Sequence, residues 1–319
     1  MRAVVTGGAG FIGSAVVDVL CGSGIEVLIV DDLSHGSLSN LDNARRAGAR
    51  LAELDIRDGA ALAEELRLFG PDWVFHLAAQ VNVRVSMVET AFDASVNILG
   101  SLNVFAAAAA AGARRVVSTS TGGAIYGETN VFPTPETIDA APVSAYGLSK
   151  LTAEHYAAWF HRARGLDIVT LRYGNVYGPR QDPSGDAGVI AAFCDAAVHG
   201  RSPTIFGDGK QTRDFVYVSD VVAANVAAAR IRRLKYHTYN VGTGREVSVT
   251  ELASAVGVAA GLSPAEFRPQ YRPAREGELR RSCLDVRRAR QDLGVSASTE
   301  LTTGLSHTID WLRAVALAA

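Results

Sequence analysis

Cysteine is scarce in this sequence, and the positive and negative charges nearly balance. The 319 residues include only Cys21, Cys194 and Cys283, which lie far apart and form no Cys-x-x-Cys pair. This spacing argues against a zinc site and a disulfide framework, and it fits a protein of the reducing cytoplasm. The formal net charge of −2 gives no electrostatic reason to expect a nucleic acid or an anionic membrane as a partner.

Long apolar runs are also absent. We find no stretch of about 20 consecutive apolar residues, so no membrane-spanning helix is predicted. The N-terminal sequence MRAVVTGGAG has glycines where a signal peptide would have its apolar core. The seven histidines show no His-Glu-x-x-His or other paired spacing, so a structural role is predicted for each of them and no metal site is expected.

Lysine is rare relative to arginine. Of the 31 Lys and Arg residues, only Lys150, Lys210 and Lys235 are lysines, and Lys150 follows Tyr146 by four residues in AYGLSK. On a helix, residues four apart lie on one face, so an ammonium there would lie near a phenol and favour the phenolate. A surface lysine and a half-buried tyrosine also arise often at this spacing by chance. The pair alone therefore does not decide a function.

The first half of the chain alternates short apolar runs with helical patterns. Continuous apolar strands separated by helices are typical of a Rossmann-type, doubly wound α/β fold with a parallel sheet. The predicted strands are 3–6, 26–30, 50–55, 72–78, 114–120 and 167–173, with helices at about 11–22 and 101–111. After about residue 174 the rhythm breaks into loops at 178–188 and 206–214. Because 319 residues are many for a single core, a smaller second domain is expected.

The most specific motif is TGGAGFIG (6–13), which follows a predicted strand and opens a predicted helix. A dinucleotide site requires this context, because glycines let the backbone approach the pyrophosphate at the helix N-terminus. Asp31 ends the second strand, where a carboxylate can bind the adenosine ribose and would repel a 2′-phosphate. Asp32 could take that role instead, or either acid could cap the loop. The pattern predicts NAD as the cofactor.

Several segments together carry a family resemblance. TGGAGFIG, the two aspartates at 31–32, HLAAQ (76–80), YGLSK (146–150) and RYGNVYGPRQ (172–181) resemble the extended short-chain dehydrogenase/reductase superfamily. Within it, the chain is most similar to NAD-dependent nucleotide-sugar epimerases of the UDP-galactose (UDP-glucose) 4-epimerase type. The likeness extends through 206–222 and 239–249. The glycine motif and the Tyr-x-x-x-Lys pair belong to the whole superfamily, and only the later segments indicate a nucleotide sugar.

This resemblance implies a catalytic set. Tyr146 would be the acid/base, and Lys150 would bind the nicotinamide ribose and, with the positive nicotinamide, lower the pKa of the phenol. A Ser or Thr near the end of the fifth strand would hydrogen-bond the same sugar oxygen. Thr121 is the first candidate and Ser120 the second, because the usual position, counted back from Tyr126, holds a glycine.

The resemblance also implies binding residues and an assembly. The chain would bind NAD through Gly7, Gly10, Phe11, Ile12, Gly13, Asp31, Asp32, Asp55, Ile56, Leu77, Ala78, Ala79, Gln80, Asn97, Tyr146, Lys150 and Tyr173. It would bind the UDP-sugar through Thr121, Asn175, Val189, Phe206, Arg213, Arg275 and Ser282. Residues 1–173, joined again by about 212–242, would form the NAD-binding domain, and 174–211 with 243–319 the substrate domain. A homodimer is expected from the resemblance.

Residues 122–124 bear on the type of reaction. Dehydratases of the superfamily place Asp-Glu beside the catalytic hydroxyl and decarboxylases a Glu, whereas this chain has Gly122, Gly123 and Ala124. A keto sugar formed here has no evident route to lose water, so C4 epimerisation is favoured over a lyase reaction. A catalytically silent NAD-binding protein is the alternative from another class.

The identity of the sugar is less determined by the sequence. Ser282 aligns with a position that limits the room beside the hexose, and its small size predicts tolerance of a bulkier substituent. UDP-glucose/UDP-galactose is the expected pair, with UDP-glucuronate as the main alternative. Arg84, Arg180 and Arg281 lie in segments that could approach a sugar carboxylate, although all three could instead face solvent or phosphate.

Overall fold

The computed structural model describes residues 1–183, 188–275 and 278–318. Residues 184–187 of the predicted loop 178–188, and residues 276–277 and 319 of the predicted substrate domain, lie outside the described residues. The strands are β1 (Arg2–Thr6), β2 (Glu26–Asp31), β3 (Arg50–Glu53), β4 (Trp73–His76), β5 (Arg115–Thr121), β6 (Ile168–Tyr173), β7 (Asn175–Tyr177), β8 (Thr204–Phe206), β9 (Thr212–Arg213), β10 (Phe215–Tyr217), β11 (Thr238–Val241), β12 (Val247–Ser248) and β13 (Gln270–Arg272).

Helices connect these strands and complete the chain. They are α1 (Phe11–Gly22), α2 (Asp42–Arg46), α3 (Gly59–Phe69), α4 (Val83–Val88), α5 (Thr90–Ala94), α6 (Ser101–Ala110), α7 (Ala145–Arg164), α8 (Val189–Val198), α9 (Val218–Arg230), α10 (Val249–Ala260), α11 (Arg287–Asp292) and α12 (Leu301–Ala318). A 3₁₀ turn at Leu38–Leu41 precedes α2, and a π-helical segment at Ser95–Gly100 joins α5 to α6.

Seven parallel strands form the central sheet, in the order β11-β6-β5-β4-β1-β2-β3. The strand order reverses between β1 and β4, and ligands of open α/β sheets bind at such a switch point, outside the carboxyl ends of the strands. The doubly wound Rossmann-type fold is confirmed. The six predicted strands all form, and β3 and β4 each end two residues before the predicted bound. At β4 the Leu77 N–H still donates to the Thr6 carbonyl (3.1 Å), but the Ala78 N–H turns to the Thr6 hydroxyl (3.3 Å) and leaves the ladder.

Both faces of the sheet are covered. One face packs against α1 and α9, with Val17, Phe75 and Tyr239 among its buried residues. The other packs against α3, α6 and α7 around Leu62 and Phe105. Strands buried on both sides need the continuous apolar runs from which they were predicted.

A further core lies outside the sheet. Helices α8, α10 and α12 pack together with short strand pairs, and their buried side chains include Phe193, Leu252 and Leu305. By contrast, β11 joins the main sheet beside β6, and α9 packs on α1, so the chain returns to the first core before it completes the second.

Among the described residues, one helix qualifies by length and composition as a candidate membrane span. It is the continuous helix Thr90–Ala110, and its most apolar window is 44% buried inside the protein. This helix was not predicted from the sequence, because it contains no unbroken run of about 20 apolar residues. The finding is weak evidence for a membrane, because core helices have the same composition.

Candidate active site

The glycine motif forms a tight turn between β1 and α1. Gly7 has a φ of +69°, and a Cβ there would lie 2.6 Å from the Ala78 nitrogen. At Gly13 a Cβ would overlap the carbonyl oxygen of Gly7. Gly10 is the N-cap of α1 and brings no side-chain cap, so the N–H groups of the first helical turn have no partner within the helix. This cradle, free of side chains, fits the pyrophosphate of a dinucleotide.

Asp31 anchors the turn at the end of β2. Its carboxylate is buried and accepts the backbone N–H groups of Ala9 (2.8 Å) and Leu33 (2.9 Å). Burial raises the pKa of Asp31, although both backbone hydrogen bonds act to lower it. Asp32 is exposed and accepts from the Ser34 N–H and hydroxyl, as a loop cap does. Of the two candidates, Asp31 is the one that lies against the glycine turn.

Tyr146 and Lys150 lie in the first two turns of α7. Ser144 caps this helix by accepting the Gly147 N–H (3.1 Å), and Ser86 on α4 accepts the Tyr146 N–H (3.0 Å). The Lys150 ammonium is 6.0 Å from the centroid of the Tyr146 ring and donates to the carbonyl of Thr119 on β5 (3.4 Å). The predicted pair therefore shares one helix face, at the carboxyl end of β5.

Burial controls the protonation of this pair. It raises the pKa of Tyr146, and the nearby negative charge of Asp93 raises it further. It lowers the pKa of Lys150 to about 8, although Asp93 and Glu154 act in the opposite direction. The predicted lowering of the Tyr146 pKa is thus absent in the chain by itself, because the cost of burying a phenolate outweighs the attraction of the ammonium.

Asp93 organises the loop after β4, a role that the sequence did not reveal. It is fully buried and accepts from Gln80 Nε2 (2.8 Å) and Asn97 Nδ2 (2.9 Å) on one oxygen. Asn97 in turn exchanges hydrogen bonds with the Gln80 backbone (2.9 and 3.1 Å). Asn97 belongs to the π-helical segment, and such distortions are frequent at functional sites.

His76 joins the loops around the switch point. Its Nδ1 contacts the Thr6 hydroxyl (2.8 Å) and its Nε2 the Ser101 hydroxyl (2.9 Å). Because the Ser101 hydroxyl donates to the Asn97 carbonyl (2.7 Å), Nε2–H is the donor to Ser101 and Nδ1 accepts from Thr6. Burial, with a contribution from Lys150, lowers the pKa of His76 to about 3, so the imidazole is neutral. Its structural role agrees with the sequence analysis.

The end of β5 holds both candidate hydroxyls. Ser120 Oγ is buried and has no hydrogen-bond partner in the described part of the chain. Thr121 Oγ1 and Asn175 Oδ1 flank the space at Gly123, lying 4.0 and 3.4 Å from a Cβ built there. A side chain at Gly122 would overlap Leu284, so the position that usually carries the hydroxyl has no room for one.

Five of the predicted substrate residues line one cleft of about 420 Å³: Asn175, Val189, Phe206, Arg213 and Arg275. The Arg275 guanidinium stacks 3.9 Å from the centroid of the Phe206 ring. Arg213 donates to Glu278 (3.1 Å). Burial lowers the pKa of each arginine, and the neighbouring Arg84 lowers that of Arg275 further. The Arg213 side chain is largely buried and Arg275 is exposed, and the two cations together suit this cleft to an anionic ligand.

Ser282 lies elsewhere, in a small cavity that it shares with Gly122 and Tyr126. Two of the three arginines considered for a sugar carboxylate already have acidic partners, since Arg180 pairs with Asp18 (2.7 Å) and Arg281 with Glu246 (2.6 Å). The expectation that they approach the sugar is therefore weakened.

The remaining predicted cofactor residues follow strand ends or face the sheet. The segments Asp55–Ile56 and Leu77–Gln80 follow β3 and β4 at the carboxyl edge. Tyr173 ends β6, and its buried hydroxyl exchanges hydrogen bonds with Asn225 on α9 (2.7 and 3.0 Å). Burial raises the pKa of Tyr173 to about 12.

Asp214 is a second buried acid without a sequence signal. It is fully buried and accepts from the N–H groups of Thr243 (2.7 Å), Gly244 (3.0 Å) and Leu284 (3.2 Å) and from the Thr243 hydroxyl (2.7 Å). It follows Arg213 of the cleft directly, so these bonds fix the backbone beside a predicted substrate residue.

Comparison with known proteins gives a consistent result. Residues 3–242 match the model of the NAD dependent epimerase/dehydratase family. The chain is 44% identical to a UDP-glucose 4-epimerase of Mycolicibacterium smegmatis, over 98% of this chain and 99% of that one. The structure is similar to that of Thermotoga maritima UDP-glucose 4-epimerase with UDP-glucose (TM-score 0.94, 42% identity, 99% and 100% of the two chains covered). It is also similar to the Thermus thermophilus UDP-glucose 4-epimerase in complex with NAD (TM-score 0.91, 39% identity, 98% and 99% covered).

Proposed function

The chain belongs to the NAD dependent epimerase/dehydratase family, and we propose that it is an NAD-dependent UDP-sugar 4-epimerase that interconverts UDP-glucose and UDP-galactose. The observation that carries the proposal is the phenol–ammonium pair on α7, in which Lys150 is buried and Tyr146 is partly buried. The pair lies at the carboxyl edge of the sheet, where the glycine turn follows β1 and Asn175 of the arginine-lined cleft follows β6.

The glycine turn, Asp31 and Lys150 would hold NAD. The turn offers free N–H groups to the pyrophosphate, and Asp31 offers a carboxylate to the adenosine ribose. The Lys150 ammonium, which contacts one carbonyl at 3.4 Å, has further donors for the nicotinamide ribose. When bound, the oxidised cofactor supplies a hydride acceptor and a positive charge.

Tyr146 would remove the proton of the sugar 4-hydroxyl and later return it. A phenol whose pKa is raised by burial holds its proton in the resting protein, so positive charge must enter the site before it acts as a base. The Thr121 hydroxyl would hydrogen-bond the same sugar oxygen, because it lies beside Asn175 of the substrate cleft. Ser120 is the second candidate, supported by its unpartnered hydroxyl among the described residues.

The cleft would bind UDP. Arg213 and Arg275 present forked donors to the diphosphate, and Val189 and Phe206 offer apolar contacts to the uracil. Asn175 Oδ1, which is buried and has no partner in the described residues, would accept a hydrogen bond from the substrate.

The keto sugar would remain bound without losing water. Gly122, Gly123 and Ala124 provide no general acid beside β5, and Leu284 fills the space at Gly122. The sugar can then turn and recover the hydride on its other face. UDP-glucuronate remains a second candidate substrate, supported by the small side chain of Ser282.

The same proposal includes assembly and location. The exposed side of α7 carries Leu148, Tyr156 and Trp159 at helical spacing, and Val88 and Leu99 are exposed on neighbouring helices. Such an apolar face is suited to a homodimer.

Three free thiols fit the cytoplasm. We also retain the division into an NAD-binding domain (1–173 with 212–242) and a substrate domain (174–211 with 243–319), which the two separate cores support.

Incubation of the purified protein with UDP-glucose, followed by chromatography of the product, tests the function. We expect UDP-galactose at equilibrium without net consumption of NAD, and an initial rate at least about 100-fold lower with Tyr146→Phe. Bound NAD with no epimerisation of UDP-glucose, UDP-N-acetylglucosamine or UDP-glucuronate would instead indicate a catalytically silent protein. Sedimentation of the wild type and Leu148→Arg tests the homodimer, since the variant should be monomeric.

A further inference from the structure

Three potential metal ligands converge at the edge of the sheet opposite the candidate active site. His161 lies in the last turn of α7, Asp167 directly precedes β6, and His237 directly precedes β11. One ligand atom from each lies within 4.8 Å of the other two. No pattern in the sequence marks this group, because its members are separated by up to 76 residues and show no paired spacing.

Both imidazoles are oriented by backbone carbonyls. His161 Nδ1 is 3.1 Å from the Leu166 oxygen, and His237 Nδ1 is 2.9 Å from the Ile168 oxygen. A carbonyl only accepts, so each Nδ1 carries the hydrogen and each Nε2 has a free lone pair. Metal-binding histidines in proteins are oriented by the same kind of bond. The two rings also lie together, with centroids 4.1 Å apart.

Asp167 is fixed in a similar way. Its Oδ2 accepts from Arg115 Nε (2.9 Å) and Nη2 (2.6 Å), while Oδ1 lies 3.9 Å from His237 Nδ1. Arg115 is itself held, since it is buried and donates to the carbonyls of Ala228 and Ile231. One carboxylate oxygen is thus available beside the imidazoles, on a side chain that needs little ordering.

We propose that His161, Asp167 and His237 bind a divalent transition-metal ion, with Zn²⁺ the best match. Two imidazoles and a carboxylate are a common zinc ligand set, whereas Mg²⁺ and Ca²⁺ prefer oxygen ligands alone. The ligand atoms, at most 4.8 Å apart, must approach the roughly 3.3 Å separation that zinc–ligand bonds of about 2 Å impose. The His237 side chain (42% exposed) has room to bring its Nε2 toward Asp167, which Arg115 holds in place, and water can fill the fourth position.

The role of this ion is structural. His161 and Tyr146 are 15 residues apart on α7, about 22 Å along the helix, so the ion cannot reach the sugar. It would join the carboxyl end of the helix that carries Tyr146 and Lys150 to the starts of β6 and β11.

Calorimetric titration of ZnCl₂ into protein stripped with EDTA tests the site. We expect one Zn²⁺ per chain, with affinity lowered by at least about 100-fold in His161→Ala and in His237→Ala, because loss of an orienting partner alone costs about 10–100-fold. His155→Ala is the matched control, since His155 is exposed on the same helix and outside the cluster. Equal affinity in all four proteins, or no binding at millimolar zinc, overturns the proposal.

Thermal unfolding gives an independent measurement. Zn²⁺ should raise the melting temperature of the wild type and of His155→Ala, but not that of His161→Ala or His237→Ala. Without zinc, all four proteins should have similar melting temperatures and similar epimerase activity. If one variant fails to fold, the other answers the question. An equal zinc-induced rise in the control and in either cluster variant contradicts the site.

Discussion

The ammonium of Lys150 lies 6.0 Å from the ring centroid of Tyr146, and the two groups depart from their ordinary pKa values in opposite directions. Burial favours the neutral form of each, which raises the pKa of the phenol and lowers that of the amine. The resting site therefore holds a protonated tyrosine beside a lysine whose charge is only weakly maintained at neutral pH. A Tyr146 phenol that stays protonated in the resting site suits an acid/base that must give up its proton only when substrate and cofactor are both present.

Tyr146→Phe should lower kcat by at least about 100-fold, because it removes the only atom of the side chain that can accept the sugar proton. The affinity for UDP-glucose should stay nearly unchanged, since Arg213 and Arg275 are untouched. Steady-state kinetics and calorimetric binding measure the two effects. Near-normal turnover would remove Tyr146 from the acid/base role.

Lys150→Met should abolish activity and yet stabilise the protein free of cofactor. The folded pKa of Lys150 is about 8 against an ordinary 10.5, so the unfolded chain binds its proton more tightly. The lower pKa in the folded state reduces the free energy of unfolding by up to about 3 kcal/mol below pH 8, and this reduction disappears as the pH rises to 10.5. Urea unfolding should show a larger free energy of unfolding for the variant at about pH 7 and a smaller advantage at about pH 9.5. A variant less stable at neutral pH would contradict this account.

The protein should bind NAD far more tightly than NADP. Asp31 is held against the glycine turn by two backbone N–H groups, so it cannot move away from a 2′-phosphate. Fluorescence titration with both cofactors measures the preference. Equal affinities would show that Asp31 does not contact the ribose.

Arg275→Ala should raise the KM for UDP-glucose by at least about 10-fold, because a charge-assisted contact to the diphosphate is lost. Arg268→Ala is the control, since Arg268 is exposed and does not line the cleft. An equal effect in the two variants would mean that Arg275 acts only through overall charge.

Ser282→Tyr should narrow the substrate range. The cavity beside Ser282 is small and lies against Gly122 at the end of β5, so a tyrosine would project toward the position of the sugar. Comparison of kcat/KM for UDP-glucose, UDP-N-acetylglucosamine and UDP-glucuronate should show the largest losses for the two bulkier sugars. If all three ratios are unchanged, position 282 does not limit the pocket.

The fold and the local motifs could be predicted because their signals lie within short stretches of sequence. Six strands, the glycine turn and the Tyr146–Lys150 pair each depend on residues close together in the chain. The acids Asp93 and Asp214 could not be found in this way, because an aspartate that will be buried cannot be distinguished in the sequence from one that will be exposed. Their hydrogen-bond donors lie on loops that only the folded sheet brings together. The reversed direction of the Tyr146 pKa has the same origin, since burial is a property of the fold.

The carboxylate of Asp214 has a consequence for how such enzymes can be recombined. It gathers backbone N–H groups from the loop after β11 and from the segment at Leu284, while its own backbone lies against Gly174 at the end of β6. A chimera that kept this nucleotide-binding half and took its sugar-binding half from a relative would inherit working glycine and Tyr-Lys motifs. It would be destabilised unless the donor half presented hydrogen-bond donors at the positions of Thr243, Gly244 and Leu284, because an acid buried without its donors is strongly destabilising. Evolution by exchange of halves is therefore limited at this one side chain to partners that share its backbone geometry.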